Sequence, residues 1–202
     1  MKTHYVRLVF LLLTFAVLAG CREASAGAPD KKEIAPATMM APGPSIYPLD
    51  VALLDQNGAA IGADIFRGQR VVISMFFGAC PAACPLLVTH IKRLEASLTA
   101  EERANLRVLL VSFDAERDTP AALTDLASAH KVDAARWRFA SATDQQARVL
   151  GNALGISFRK IEGGMFAHDS VITVLDEQGR IVAHTDELSG EMTALRSAAG
   201  AR

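Results

Sequence analysis

From residue 46 onward, apolar runs alternate with polar stretches at the spacing of regular secondary structure. Residues 71–77 and 107–112 are nearly continuous runs of aliphatic or aromatic side chains, which is typical of strands buried on both faces of a sheet. Between these runs, apolar residues recur at the spacing of one helical face, at Leu87, Ile91, Leu94 and Leu98. The pattern predicts a strand, a helix and a second strand.

Two further helices are predicted in the second half of the chain. Asp118 is a typical capping residue, and Pro120 fits the first turn of a helix that runs toward His130. Residues 145–154 predict another helix, which Gly155 ends. We therefore expect helices on both sides of a sheet.

The chain is also predicted to contain two hairpins. An Asn-Gly pair at residues 57–58 lies between short apolar segments, which is a strong hairpin signal. Residues 171–175 and 180–184 predict two strands joined by a turn, and a last helix follows Gly190. The order predicts an α/β fold with a central mixed sheet, flanking helices and an N-terminal hairpin.

The N-terminus has a different character from the rest of the chain. A short basic start precedes the apolar residues 8–20, which have the length of a signal peptide and are too few for a full membrane span. Small residues at 19 and 20 stand directly before Cys21, which resembles a bacterial lipoprotein box. We expect cleavage before Cys21 and lipidation of its thiol. The alternative is a plain signal peptide with a cysteine nearby.

Residues 22–48 are rich in alanine, glycine and proline, which indicates an extended tether. We therefore predict a signal peptide at 1–20, a tether at 21–45 and a folded domain at 46–202. The protein is expected on the periplasmic side of a membrane, held there by lipid. Its net charge of −1 and the absence of a long basic run argue against nucleic-acid binding. We expect a monomer.

Cys80 and Cys84 follow the first buried strand directly and open the predicted helix, which is the arrangement of a thioredoxin-like fold. The pair can be a redox dithiol, a structural disulfide or part of a metal site. A disulfide across so short a loop removes little entropy from the unfolded chain, so chemistry explains the pair better. Three residues separate the cysteines, whereas thioredoxin oxidoreductases have two.

His168 is the candidate for a third ligand. A lone histidine in a loop is usually a surface residue, but this one lies shortly before the strand at 171–175, which neighbours the cysteines in a thioredoxin-like sheet. Thioredoxin oxidoreductases have a cis-proline there, and all eight prolines of this chain lie at or before Pro120. Two thiolates and an imidazole form a soft ligand set that suits copper, especially Cu(I).

Several segments together resemble the Sco/SenC family of copper proteins. They are FGACPAACP at 77–85, SFDAERDTP at 112–120, WRF at 137–139, His168, and DEQGR at 176–180. The resemblance implies a thioredoxin-like domain that binds copper through Cys80, Cys84 and His168. It also implies work on the copper A centre of cytochrome c oxidase, as copper donor, thiol reductant or both. The partners would be the copper-bearing oxidase subunit or another copper chaperone.

The chain departs from the family pattern at three positions. Gly78 stands where threonine is frequent, Ala115 stands where proline is frequent, and an aspartate follows His168 instead of preceding it. None of these changes removes a predicted ligand. For Asp118 we favour a helix cap, whereas Asp114 can serve either the loop or the metal site.

Two main functions compete at this point. A copper chaperone needs Cys80, Cys84 and His168, and oxidation of the cysteines to a disulfide would prevent copper binding. A thiol–disulfide oxidoreductase for exported proteins needs the redox-active cysteine pair alone. A thioredoxin-fold peroxidase has no specific support in the sequence. We expect a carrier rather than an enzyme with turnover.

Overall fold

The computed structural model describes residues 42–80, 83–188 and 192–201, and of residues 83 and 84 it describes only the backbone. The predicted signal peptide, Cys21 and most of the predicted tether lie outside this part. Within the described ranges, no helix has both the length and the apolar character needed to cross a membrane.

A seven-stranded mixed sheet forms the centre of the fold, in the order β2-β1-β5-β4-β3-β8-β9. Its strands are β1 (Leu53–Asp55), β2 (Ala60–Ile61), β3 (Arg70–Phe76), β4 (Leu106–Ser112), β5 (Trp137–Ser141), β8 (Ile172–Leu175) and β9 (Ile181–Thr185). β3, β4 and β5 are parallel neighbours, while β1 and β8 pair with them in the antiparallel direction. A separate hairpin consists of β6 (Phe158–Lys160) and β7 (Phe166–His168).

Five α-helices accompany the sheet in the described part of the chain. They are α1 (Ala83–Ser97), α2 (Ala100–Ala104), α3 (Pro120–Ala129), α4 (Asp144–Leu154) and α5 (Thr193–Gly200). The apolar face of α1 is buried, as its spacing predicts, at Leu87, Ile91 and Leu94. Thr99 and Glu102 form a capping box at the start of α2, a short helix that the apolar spacing does not predict.

The sheet has a hydrophobic core on each face, because its central strands are apolar on both sides. In β3, Ile73 and Met75 belong to one core, whereas Val72 and Phe76 belong to the other. All four side chains are buried. This confirms the interpretation of residues 71–77 as a strand covered on both faces. The predicted α/β class with a central mixed sheet, flanking helices and an N-terminal hairpin is confirmed.

One central strand was missing from the prediction. β5 lies between β1 and β4, although its sequence WRFAS contains a charged residue and a short apolar run. Arg138 forms an ion pair with Asp55 of β1 at 3.4 Å, so the polar position does not interrupt the sheet. The tertiary pairing, rather than the local pattern, therefore determines this strand.

The turn between β8 and β9 packs closely on the start of the domain. Gly179 has a φ of 77°, and a Cβ atom built there would lie 2.5 Å from the ring of Tyr47. Tyr47 is itself buried, and burial raises its pKa to about 12. The Asp176 carboxylate accepts the amides of Gln178 and Arg180 at 3.0 and 2.9 Å. Although burial acts in the opposite direction, these bonds and the Arg180 side chain lower the pKa of Asp176.

The substitution Gly179→Ala should lower the free energy of unfolding by about 3 kcal/mol. Part of this cost is the left-handed backbone, at about 1–2 kcal/mol, and the rest is the contact with the Tyr47 ring, at about 1–3 kcal/mol. Gly58 is a matched control, because its φ is also 77° and no atom lies within 4 Å of the added Cβ. Denaturant unfolding of both variants measures the difference, and equal losses would show that Tyr47 contributes nothing.

Candidate metal centre

The cysteines lie where the central strand β3 passes into α1. Cys80 follows a loop of three residues after Phe76, and its amide donates to the Phe77 carbonyl at 3.2 Å. Its side chain is half-buried and contacts both hydrophobic cores. The backbone of Cys84 lies in the first turn of α1. The dipole of a helix favours thiolates at such a position.

His168 lies in a hairpin rather than in the predicted loop. It is the last residue of β7 and pairs with Phe158 of β6. The hairpin is closed by a bond from the Ile161 amide to the Met165 carbonyl at 2.8 Å. Gly163 and Gly164 have φ values of 72° and 70° in its turn, which is a conformation that glycine adopts without strain. The histidine is therefore carried by a defined element with a set register.

Aromatic contacts place His168 beside the cysteine loop. Its imidazole meets the edge of the Phe77 ring with 5.7 Å between the ring centroids, and it lies 5.2 Å from the Phe113 ring. Phe113 in turn stacks on Phe158 at 4.6 Å, so the cluster continues to the partner strand of the hairpin. Because Phe77 precedes Cys80 by three residues, the contact brings the histidine to the chain segment that carries the cysteine.

The imidazole is oriented by the residue after it. Nδ1 of His168 lies 2.9 Å from the Asp169 carbonyl, and because a carbonyl only accepts, Nδ1 carries the proton. In the neutral imidazole, Nε2 then has the lone pair that a metal can bind. Asp169 is fixed by two bonds with Ser157, from its amide to the Ser157 carbonyl at 3.0 Å and from the Ser157 amide to its carboxylate at 2.9 Å. The aspartate that follows His168 thus supplies the hydrogen-bond acceptor for the imidazole through its backbone carbonyl.

Asp118 does not cap α3, and the expectation that it does was wrong. Thr119 is the cap, and its hydroxyl accepts the Ala122 amide at 3.3 Å. The buried carboxylate of Asp118 instead accepts the Gly78 amide at 2.8 Å and the Ser112 hydroxyl. It therefore joins the cysteine loop to the end of β4. A Cβ atom at Gly78 would lie 2.4 Å from this carboxylate, so glycine permits the contact.

Asp114 connects the loop between β4 and α3 with the β6–β7 hairpin that carries His168. Its buried carboxylate accepts a hydrogen bond from Nε of Arg117, and the guanidinium also donates to the Gly164 carbonyl. A second contact between the two segments is an ion pair of Lys160 with Glu116 at 3.0 Å, with both side chains exposed. The hydrogen bond and charge of Lys160 lower the pKa of Glu116.

The remaining described histidines lie elsewhere. His90 is buried in α1 and its Nδ1 lies 2.7 Å from the Leu188 carbonyl. His130 ends α3, where burial and the charge of Lys92 lower its pKa. His184 is exposed in β9. Among the described side chains, no three of the types His, Cys, Asp and Glu group as metal ligands. The Cys84 side chain lies outside the described part, so the set Cys80, Cys84 and His168 stays a prediction.

The substitution Asp118→Ala should destabilise the protein more than Thr119→Ala. Loss of the carboxylate leaves the Gly78 amide and the buried Ser112 hydroxyl without an acceptor, at a cost of about 2–3 kcal/mol. Loss of the Thr119 cap costs about 1 kcal/mol. Chemical unfolding of the two variants checks this order of stability. The reverse order would contradict the inference that Asp118 joins the cysteine loop to the end of β4.

Comparison with curated sequences gives relatives that the chain matches over about two thirds of their length. A relative from Stutzerimonas stutzeri is 28% identical over 136 residues, which is 65% of each chain. A SCO2-like protein from Rickettsia conorii is 23% identical over 142 residues, which is 67% of each chain.

Solved structures have the same fold. The copper-bound ScoI of Bradyrhizobium japonicum superimposes with a TM-score of 0.59 at 22% identity, covering 76% of this chain and 92% of that one. A SCO1/SenC family lipoprotein from Bacillus anthracis gives a TM-score of 0.69 at 16% identity, covering 80% and 97%. These likenesses confirm the predicted thioredoxin-like fold.

A family model described as SCO1/SenC matches residues 45–200. They include the cysteine loop after β3, the acidic loop at residues 113–119 between β4 and α3, and the β6–β7 hairpin. The match covers nearly all of the described sheet and helices. The chain therefore belongs to the SCO1/SenC family.

Proposed function

We propose that the protein is a copper chaperone that holds one copper ion with the thiolates of Cys80 and Cys84 and the imidazole of His168. It delivers this ion for the copper A centre of cytochrome c oxidase. The observation that carries the proposal is the position of His168, whose ring lies against Phe77 with Nε2 available. Two thiolates and an imidazole suit Cu(I).

The relatives support the same chemistry. The relative from Stutzerimonas stutzeri is named for copper binding, and the ScoI structures from Bradyrhizobium japonicum and Arabidopsis thaliana contain copper. A solved neighbour, BsSco, is described as a member of the Sco family of cytochrome c oxidase assembly proteins. The proposed partners are accordingly the copper-bearing subunit of the oxidase or a second copper chaperone.

The proposed site would work by ligand exchange. Binding requires both thiols to lose their protons, so reduced cysteines take up copper and release two protons, whereas a disulfide offers no thiolate. His168 and Cys80 are both half-buried, so a partner can approach them from solvent. The acceptor's own soft ligands can then replace the three ligands one after another, and the ion is never released to water.

Export and anchoring complete the proposal. Residues 1–20 would be removed, Cys21 would carry lipid, and residues 21–45 would connect the lipid to the domain at 46–202. An extended chain of that length would reach up to about 80 Å. The anchor would keep the copper site close to a membrane-bound acceptor and raise its effective concentration. The protein would act on the periplasmic side.

A dedicated thiol–disulfide oxidoreductase is the second candidate. It is favoured by the position of Cys80 between β3 and α1, where thioredoxin-like proteins carry their cysteine pair. It would use Cys80 and Cys84 to reduce the cysteines of an exported partner and would not need His168. Because no proline follows Pro120, the cis-proline of general thioredoxin oxidoreductases is absent before β8. The copper chaperone is therefore the function supported best.

Copper titration of reduced, anaerobic protein tests the three-ligand site. His168→Ala should weaken Cu(I) binding by more than roughly tenfold. A loss of roughly tenfold already follows when a residue that hydrogen-bonds to a metal ligand is changed, and here a proposed ligand itself is removed. Cys84→Ser should weaken it further, because a serine hydroxyl keeps its proton at neutral pH. Competition with a coloured Cu(I) chelator measures both affinities.

His184→Ala is the matched control, since His184 is exposed in β9, and it should bind copper like the unchanged protein. Equal affinity of His168→Ala and the unchanged protein would contradict the site. Rapid reduction of a generic disulfide by the unchanged protein, with no copper bound, would favour the oxidoreductase instead.

Metabolic labelling with palmitate tests the anchor. The full chain expressed in a bacterial host should incorporate the label, and Cys21→Ser should not, because the thiol is the proposed site of lipidation. Cys80→Ser is the control and should be labelled like the unchanged chain. Label in Cys21→Ser would show that the lipid is attached at another residue.

A further inference from the structure

Arg117 joins the loop between β4 and α3 to the turn of the β6–β7 hairpin. Its side chain is 40% exposed, yet its Nε donates to the Asp114 carboxylate, which is only 2% exposed. Its other end donates to the Gly164 carbonyl in the turn of the β6–β7 hairpin. The guanidinium therefore connects a buried charge in the acidic loop with the tip of the element that carries His168.

The acidic loop is itself attached to the cysteine loop. The Asp114 amide donates to the Ser112 hydroxyl at 3.0 Å, and that hydroxyl donates to Asp118. Asp118 accepts the Gly78 amide, two residues before Cys80. A continuous series of hydrogen bonds thus runs from the cysteine segment to Arg117.

The hairpin needs such a support because it lies outside the main sheet. Within the part of the chain that the structure describes, β6 and β7 pair only with each other, over three residues each. The bonds between Ser157 and Asp169 fix its base, and His168 lies next to that base. The aromatic contacts below it are not directional enough to determine the tilt of the hairpin, whereas hydrogen bonds to a guanidinium are.

We propose that Arg117 is a positioning residue, which sets the place of His168 relative to the cysteine loop by binding Asp114 and the Gly164 carbonyl at once. This inference rests on the proposed copper site. The planar fork of arginine has separate donors for the two acceptors, whereas the single ammonium of lysine does not reproduce that geometry. The exposed ion pair of Lys160 and Glu116 links the same two segments but lies in water, where such pairs contribute little.

The test compares Arg117→Met with Glu116→Gln, which is the matched control because it removes the exposed contact between the same segments. Arg117→Met should weaken Cu(I) binding by roughly tenfold. It should also give a second Cu(II) species in electron paramagnetic resonance that lacks coupling to the histidine nitrogen. Glu116→Gln should change neither the Cu(I) affinity nor the nitrogen coupling. The Cu(I) affinity of Arg117→Lys should lie between those of Arg117→Met and the unchanged protein.

A double variant removes the effect of the carboxylate that Arg117→Met leaves unpaired. Arg117→Met combined with Asp114→Asn leaves no unpaired charge at position 114, so it should recover thermal stability and still bind copper weakly. Recovery of both stability and affinity would overturn the inference, because the loss would then come from the buried charge alone.

The failure of the inference can be distinguished from the failure of the copper site. Unchanged affinity and an unchanged nitrogen signal in Arg117→Met, with weak binding in His168→Ala, would overturn the role of Arg117 and leave the site intact. Unchanged binding in His168→Ala would remove the copper site and this inference with it. Weak binding in both variants, with histidine-nitrogen coupling lost in His168→Ala and reduced in Arg117→Met, would support the inference.

Discussion

The candidate site depends on the hydrogen bonds that the buried carboxylate of Asp118 accepts from the loop after β3 and from the end of β4. β3 and β4 are parallel neighbours, so both end at the same edge of the sheet and both must turn away there. The loop after β3 leaves the Gly78 amide without a partner in the sheet, and the loop after β4 returns Asp118 to accept it. A buried amide without such an acceptor would cost about 1–3 kcal/mol. The two loops are therefore held as one unit.

This arrangement separates the supports of the cysteines from those of the histidine. Cys80 is carried by a central strand that is buried on both faces, so its position follows from the sheet. His168 is carried by a small hairpin that meets the sheet through the rings of Phe77 and Phe113 and through polar contacts. The proposed ligands therefore differ in their support: Cys80 follows the central strand directly, whereas His168 depends on ring packing and hydrogen bonds around its hairpin.

The sequence was sufficient for the elements whose own residues are decisive. The run at 71–77 is apolar on both faces, and the Asn-Gly turn determines the first hairpin, so both could be predicted. β5 could not, because its place between β1 and β4 follows from pairing with distant strands. The role of Asp118 was also hidden, because a carboxylate before a helix has the same local pattern whether it caps the helix or binds a remote amide.

For the candidate site, too, some features could be predicted from the sequence and others could not. The prediction of Cys80 and Cys84 rests on their place directly after the first buried strand, and that of His168 on its place ahead of β8. The partner of its Nδ1 was not predictable, since a backbone carbonyl leaves no mark in the sequence. In the proposed function this carbonyl is decisive. By holding the proton on Nδ1 it leaves the lone pair on Nε2, and an imidazole with an available lone pair is what distinguishes a copper site from a cysteine pair that only exchanges electrons.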